Sequence, residues 1–84
     1  MKKKHVVLLV DDEQENITLL ANILEGDRAI LEARNGDEAL ELLRQHPVDL
    51  ILTDQRMPGM SGVELLERAH ALRPDGVRML VTAY

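Results

Sequence analysis

The sequence predicts an α/β domain in which strands and helices alternate around a parallel sheet. Residues 6–10 form a continuous apolar run, which is typical of a strand covered on both faces, and residues 48–53 form a further predicted strand. Between the strands, apolar residues recur every three or four positions, as on one side of an amphipathic helix. The resulting order β-α-β-α-β-α-β predicts parallel strands joined by right-handed crossovers.

The composition fits one small soluble domain, which we expect to span residues 1–84. A net charge of −5 repels nucleic acid and anionic membranes on average, so we expect neither to be bound directly. The sequence has no cysteine, which excludes disulfides and thiolate metal sites and suits a reducing compartment. No apolar run approaches membrane-spanning length, and we expect a cytoplasmic location.

The first half of the chain contains two predicted strands, each followed by a helix. The strand at residues 6–10 ends in two acids, and Gly26 stops the helix that follows it. Arg28–Ala33 is a more polar strand, expected near the edge of the sheet, and Asn35 offers a cap to the next helix, which Pro47 ends. The inward stripes of these helices are predicted at Ile17, Leu20, Ala21 and Leu24, and at Ala39, Leu40 and Leu43.

The second half repeats this arrangement. A third strand is predicted at residues 48–53, and Ser61 with Glu64 makes a capping box that starts the third helix. A turn at residues 74–76 precedes a fourth strand at 77–81. The inward stripe of the third helix is expected at Val63, Leu66, Ala69 and Leu72 or their neighbours.

Four polar residues directly follow predicted strands. Asp11 and Asp12 follow the first strand, Asp54 the third and Thr82 the fourth. Because all strands of a parallel sheet end at the same edge, these side chains are expected to converge in one crevice. Open α/β sheets bind their ligands in that position.

Three carboxylates gathered in one place repel each other unless they are protonated or share a cation. Oxygen ligands without a Cys or His cluster suit a hard ion, of which Mg²⁺ is the usual choice. A carboxylate can also act as a nucleophile and form an aspartyl phosphate. The metal would then offset charge on the incoming phosphoryl group, and Thr82 could donate its hydroxyl to a phosphoryl oxygen.

Three segments of the chain resemble the signature blocks of the response-regulator receiver family. They are VDDE at residues 10–13, TDQRMPGMSG at 53–62 and VTA at 81–83, and their order and separations match the family across essentially the whole chain. The resemblance implies a flavodoxin-like, three-layer fold with strand order 2-1-3-4-5. It also implies that a histidine kinase or a small phosphodonor supplies the phosphoryl group, and that an output domain or partner protein receives the signal.

The resemblance also implies a role for each matching residue. Asp54 would be the phosphoacceptor and would ligate Mg²⁺ together with Asp12, while Asp11 would act on the ion mainly through water. The backbone carbonyl of Arg56 would be a further metal ligand. Thr82 would be the switch residue that moves toward the phosphoryl group. The resemblance thus implies a signalling switch and no enzyme.

The chain departs from the family after the fourth strand. The family has a fifth strand that ends in a lysine, flanked by two further helices, and the only lysines here, residues 2–4, do not match that position. We therefore expect a receiver domain that is incomplete at its C-terminal end, with strand order 2-1-3-4 and weakened or short-lived phosphorylation. The uncovered fourth strand and the apolar surface beside it predict a homo-oligomer or swapped dimer.

Other interpretations of the same residues remain open. Alone, Asp11 and Asp12 could form a loop and helix cap, and Asp54 could be a solvated acid at a strand end. A phosphatase of the haloacid-dehalogenase type also forms an aspartyl phosphate, but it needs a second acid two residues after the nucleophile, where this chain has Arg56. A passive scaffold that folds, associates and retains some Mg²⁺ binding is the third possibility.

Overall fold

The computed structural model of the chain describes residues 5–24, 26, 28–74 and 78–82, and for 78–82 it describes the backbone. Within this part, strands and helices alternate in the predicted order. They are β1 (His5–Val10), α1 (Gln14–Leu24), β2 (Arg28–Ala33), α2 (Gly36–Gln45), β3 (Leu50–Asp54), α3 (Gly62–Leu72) and β4 (Arg78–Thr82).

The strands form one parallel sheet in the order β2-β1-β3-β4, which confirms the predicted order. The polar strand β2 lies at an edge of the sheet, as its composition predicted. Val10 at the end of β1 pairs with Ala33 and with Thr53, and Asp54 pairs with Thr82. The carboxyl ends of these strands therefore meet at one edge of the sheet.

Helices cover the sheet on both faces, so the fold has three layers. β1 lies inside the sheet and alternates between the faces, because successive side chains of a strand point in opposite directions. Leu8 and Val10 point to the side covered by α2 and α3, and Val7 and Leu9 point to the side covered by α1. We call these sides the α2–α3 face and the α1 face.

The α2–α3 face contains the larger of the two clusters of buried apolar residues. Its members come from the sheet, from both helices and from the loop before α3: Leu8, Val10, Ala33, Ala39, Leu40, Leu43, Val48, Ile51, Met60, Leu65 and Ala69. On the α1 face, the buried cluster consists of Val7, Leu9 and Ile17. Of the predicted α1 stripe, Ile17 is buried, whereas Leu20, Ala21 and Leu24 are half-buried.

Strand β3 begins at Leu50, two residues later than the sequence predicted. At the preceding position, the Asp49 amide donates to the Val6 carbonyl at 2.8 Å, and the Asp49 carboxylate accepts a hydrogen bond from the Val6 amide at 2.8 Å. A side-chain oxygen thus takes the place of a backbone carbonyl in the ladder. The regular pairing of β1 with β3 starts after it, at Val7 and Leu50.

Helix α3 is rotated relative to the stripe predicted from its sequence. Val63 and Leu72 are 47% and 40% exposed, whereas Leu65 and Ala69 are fully buried. The inward positions therefore include Ala69, as predicted, and Leu65, which is the neighbour of the predicted Leu66. Gly62, the first residue of α3, is also on the inward side and is buried against the backbone at the end of β3.

Two further predictions concern the end of the chain and membranes. The start of the predicted fourth strand, Val77, and the turn residues Asp75 and Gly76 lie outside the described residues. Over the ranges described, no helix combines the length and the apolar character needed to cross a bilayer.

Candidate metal centre

The structure brings together the three acids that follow β1 and β3. Asp11, Asp12 and Asp54 each offer one carboxylate oxygen, and these three oxygens lie within 4.8 Å of one another. Asp11 is buried at 4% exposure, and Asp12 and Asp54 are half-buried. The predicted convergence of these residues is therefore observed, and their oxygens are close enough to contact a common cation.

Asp11 is held in place by the first turn of α1. Its Oδ1 accepts a hydrogen bond from the Glu13 amide at 3.0 Å, and its Oδ2 accepts one from Asn16 Nδ2 at 3.2 Å. Its own amide donates to the Ala33 carbonyl of β2 at 3.1 Å. Because these donors are uncharged, they orient the Asp11 carboxylate without neutralising its negative charge.

Asp54 is the last residue of β3, and its carboxylate is incompletely satisfied. Oδ1 is buried and has no hydrogen-bond partner in the part of the chain that the structure describes. A buried acceptor without a donor is unfavourable, and more so for a carboxylate that faces two others. This donor set of hard oxygens with one unsatisfied member fits a divalent cation such as Mg²⁺.

The loop after Asp54 is tied back to the start of α3. The Gly62 amide donates to the Gln55 carbonyl at 3.1 Å, and the Val63 amide donates to Gln55 Oε1 at 2.9 Å. Gly62 approaches the Asp54 carbonyl so closely that a Cβ atom there would lie 2.7 Å from its oxygen. These contacts fix Asp54 and Gln55, the two residues before Arg56, whose backbone carbonyl is a predicted metal ligand.

Both predicted helix caps beside the crevice are present. Asn35 Oδ1 accepts from the Glu38 amide at 2.9 Å, and Ser61 forms a capping box with Glu64. Met60 precedes Ser61 and is buried in the core of the α2–α3 face. It packs tightly on Gly36 at the start of α2, where an added Cβ atom would lie 2.5 Å from the Met60 sulfur. Packing therefore holds the two loops together.

Thr82 occupies the predicted place in the sheet. It lies beside Asp54 in the register of β3 with β4, at the same edge as the acids. Its side chain is outside what the structure describes, so its switch role stays a prediction.

Sequence reasoning missed Arg34, which lies one residue beyond the end of β2. Its guanidinium donates to the Asp12 backbone carbonyl through Nε at 3.2 Å and through Nη2 at 2.6 Å. Arg34 and Asp12 also line a cleft of about 330 Å³ between the loops after β1, β2 and β3. The sequence did carry a signal for it, because Arg34 directly follows a strand just as the acids do.

Comparison with known proteins places this arrangement in context. The family model of the response regulator receiver domain matches residues 7–84. The chain is 40% identical over 82 residues to the hydrogenase transcriptional regulatory protein HoxA of Cupriavidus necator, which covers 98% of this chain and 17% of HoxA. The chain therefore spans a small part of that relative's length.

Solved structures share the fold. A CheY-like response regulator receiver domain protein from Methanospirillum hungatei superposes with a TM-score of 0.89 at 32% identity, covering 96% of this chain and 65% of that chain. The response regulator protein TrrA from Thermotoga maritima, crystallised in complex with Mg²⁺-BeF, gives 0.86 at 31% identity, covering 94% of this chain and 69% of that chain.

Proposed function

Since the chain belongs to the response regulator receiver domain family of two-component systems, we propose that Asp54 accepts a phosphoryl group in a Mg²⁺-dependent reaction. The phosphoryl group would come from a histidine kinase or a small phosphodonor, and the change at Asp54 would be passed to an output domain or a partner protein. The cytoplasm, where such kinases present their phosphohistidine, is the proposed location.

The observation that carries this proposal is the cluster of carboxylate oxygens from Asp11, Asp12 and Asp54, together with a buried Asp54 Oδ1 that finds no hydrogen-bond partner among the described residues. In the proposed site, Asp54, Asp12 and the Arg56 carbonyl would hold the ion, and Asp11 would act on it through water. Bound Mg²⁺ would supply positive charge that offsets the charge of the incoming phosphoryl group.

In the proposed reaction, an Asp54 carboxylate oxygen attacks the phosphorus atom of a phosphohistidine. The new O–P bond forms as the P–N bond breaks, and the electron pair of that bond returns to the imidazole nitrogen. The Thr82 hydroxyl donates a hydrogen bond to a phosphoryl oxygen. The close Gly62 contact and the Gln55 hydrogen bonds support this step by holding the Asp54 backbone still.

A phosphatase of the haloacid-dehalogenase type is less well supported. Such an enzyme needs an acid two residues after its nucleophile to protonate the leaving group. This chain has Arg56 there, and a guanidinium does not release its proton in the physiological range. We therefore propose that the reaction stops at the aspartyl phosphate, and that its formation is a signalling event.

The first test is a Mg²⁺ titration with and without beryllofluoride, a phosphoryl mimic, followed by NMR of backbone amides. We expect wild type to bind both, Asp12→Asn to weaken Mg²⁺ binding, and Asp54→Asn to abolish beryllofluoride binding. Asp37→Asn is the matched control, because this exposed acid lines the same cleft but lies outside the oxygen cluster. Equal losses in Asp37→Asn and Asp54→Asn would show a general charge effect and contradict the site.

The second test is incubation with a small phosphodonor and Mg²⁺, followed by mass spectrometry of the intact chain. We expect labelling that depends on Mg²⁺ and on Asp54, because the carboxylate of Asp54 is the proposed nucleophile. Labelling that survives Asp54→Asn would refute the assignment of the phosphoacceptor. Steady turnover of a phosphate ester would instead support the phosphatase.

A further inference from the structure

We propose that Arg34 is a positioning residue that holds the β1–α1 loop in the conformation that binds the cation. The inference rests on the proposed function, because it assumes that Asp12 is a Mg²⁺ ligand. Arg34 would help to build the Mg²⁺ site through its hydrogen bonds to the backbone of the loop, and not through its positive charge.

The guanidinium of Arg34 contacts the β1–α1 loop at Asp12 and the first residue of α1, Gln14. Nε and Nη2 both donate to the Asp12 backbone carbonyl, at 3.2 and 2.6 Å, and Nη1 reaches Gln14 Oε1 at 3.5 Å. A planar guanidinium that donates twice to one acceptor restricts both the direction and the distance of that acceptor. The contact uses the carbonyl of Asp12 and leaves its carboxylate oxygens to the crevice.

The backbone from which the Arg34 side chain extends is itself fixed. The Arg34 amide donates to Glu38 Oε1 at 2.8 Å, and the Glu38 amide donates to Asn35 Oδ1 at 2.9 Å. These bonds satisfy the start of α2, a helix whose stripe is packed into the larger core. Arg34 thus joins the β1–α1 loop to a well-buried part of the molecule.

Asp12 needs such a tie more than its neighbour does. Asp11 is 4% exposed and is held through both carboxylate oxygens. Asp12 is half-buried and begins the turn into α1, the helix with the smaller buried cluster. Outer contacts that orient a ligand commonly change metal affinity by a factor of about ten or more.

The charge of Arg34 would act in the opposite direction. A guanidinium near three carboxylates repels an incoming divalent cation, so removing the charge alone would tighten binding. Because Arg34 is exposed, solvent and salt screen this repulsion, and we expect loss of positioning to dominate. The two effects predict changes of opposite sign in the affinity for Mg²⁺, which makes them separable.

The experiment compares Mg²⁺ titrations of wild type, Arg34→Ala and Arg34→Lys, with Arg44→Ala as the control. Arg44 is an exposed cation of α2 that pairs with Glu41, so its loss changes the net charge equally. We expect Arg34→Ala and Arg34→Lys to weaken Mg²⁺ binding by about three- to tenfold, below the usual range because the residue is exposed. Unchanged affinity in Arg34→Lys, or tighter binding in Arg34→Ala, would overturn the proposal.

A metal-free measurement separates failure of this inference from failure of the proposed function. Hydrogen exchange at the Glu13 amide, which donates to Asp11, reports the order of the loop without any ion. We expect exchange there to be faster in Arg34→Ala and in Arg34→Lys, and unchanged in Arg44→Ala. If wild type does not bind Mg²⁺ yet exchange accelerates, the proposed function fails and Arg34 orders the loop without serving a cation site. Unchanged exchange in both Arg34 variants would refute the hold of Arg34 on the loop itself.

Discussion

The two faces of the sheet share the same central strand but are buried to different depths. On the α2–α3 face, the two helices and the Met60 loop close over a buried cluster with members from both helices and from the sheet. On the α1 face, one helix covers the sheet, and Leu50 and Leu52 of β3 are only half-buried. Leu19 and Ile23 of α1 are 60% and 66% exposed.

This difference bears on the candidate site because the site is shared between the faces. Asp54 and its following loop are held by α3, on the well-buried face, whereas Asp11 and Asp12 lead into α1, on the thinly covered one. Regions with few buried apolar contacts open more easily than the rest of a domain. Ties such as the Arg34 contact, and a shared cation, would therefore stabilise the weaker half of the site.

The largest expected effect is on the stability of the two faces. Leu65→Ala removes a fully buried side chain of the α2–α3 face and should lower the free energy of unfolding by about 3 kcal/mol. Leu20→Ala, at a half-buried position of α1, should lower it by about 1 kcal/mol. Urea denaturation followed by circular dichroism measures both, and equal losses would show that the faces are equally well packed.

A smaller effect is expected where the α2–α3 face meets the site. Gly62→Ala places a Cβ atom 2.7 Å from the Asp54 carbonyl oxygen, so the backbone must move. We expect a loss of about 2 kcal/mol in unfolding free energy, together with weaker Mg²⁺ binding.

The control for this substitution is Glu67→Ala, on the exposed side of the same helix. It should change stability by less than about 0.5 kcal/mol and leave Mg²⁺ binding intact. If the Gly62→Ala variant is as stable as wild type, α3 can move away from the Asp54 carbonyl without a loss of unfolding free energy, which would contradict this prediction.

The helix starts give the third prediction. Asn35→Ala removes the side chain that accepts from the Glu38 amide and should cost about 1 kcal/mol of unfolding free energy. Asn22→Ala, the same substitution at an exposed position within α1, should be neutral or slightly stabilising because Ala is the better helix former. Thermal unfolding of both variants checks this. If they melt at the same temperature, the loss comes from removing any Asn side chain and not from removing the helix cap.

The smallest effect on stability is expected on the outside of α1. Leu19→Gln combined with Ile23→Gln should change the unfolding free energy by less than about 0.5 kcal/mol, since both side chains are largely exposed. We propose that the chain self-associates, and this pair should reduce that association in light scattering because it removes apolar surface.

The matched control places Gln at Val63 and Leu72, the exposed apolar residues of α3. Val63 and Leu72 are less exposed than Leu19 and Ile23, so their replacement removes less apolar surface and should reduce association less. A wild-type chain that stays monomeric at high concentration would contradict self-association altogether.

Much of the fold could be predicted because its signals are local. The apolar run before Asp11, the Asn35 cap and the Ser61 capping box each lie within a few residues and appear as predicted. Convergence of the acids followed from one rule about parallel strands. The start of β3 was misplaced because Asp49 interrupts the ladder with its side chain, a contact to Val6 that is distant in sequence.

By itself, the sequence determined the order of the elements, the parallel sheet and the strand ends that carry Asp11, Asp12 and Asp54, because periodicity and capping act over a few residues. Only the tertiary structure decided the rotation of α3, the unequal covering of the two faces and the contact of Arg34 with the Asp12 carbonyl. These features depend on how closely elements from distant parts of the chain approach each other. That approach is set by the packing of side chains from several elements at once, which no local pattern contains.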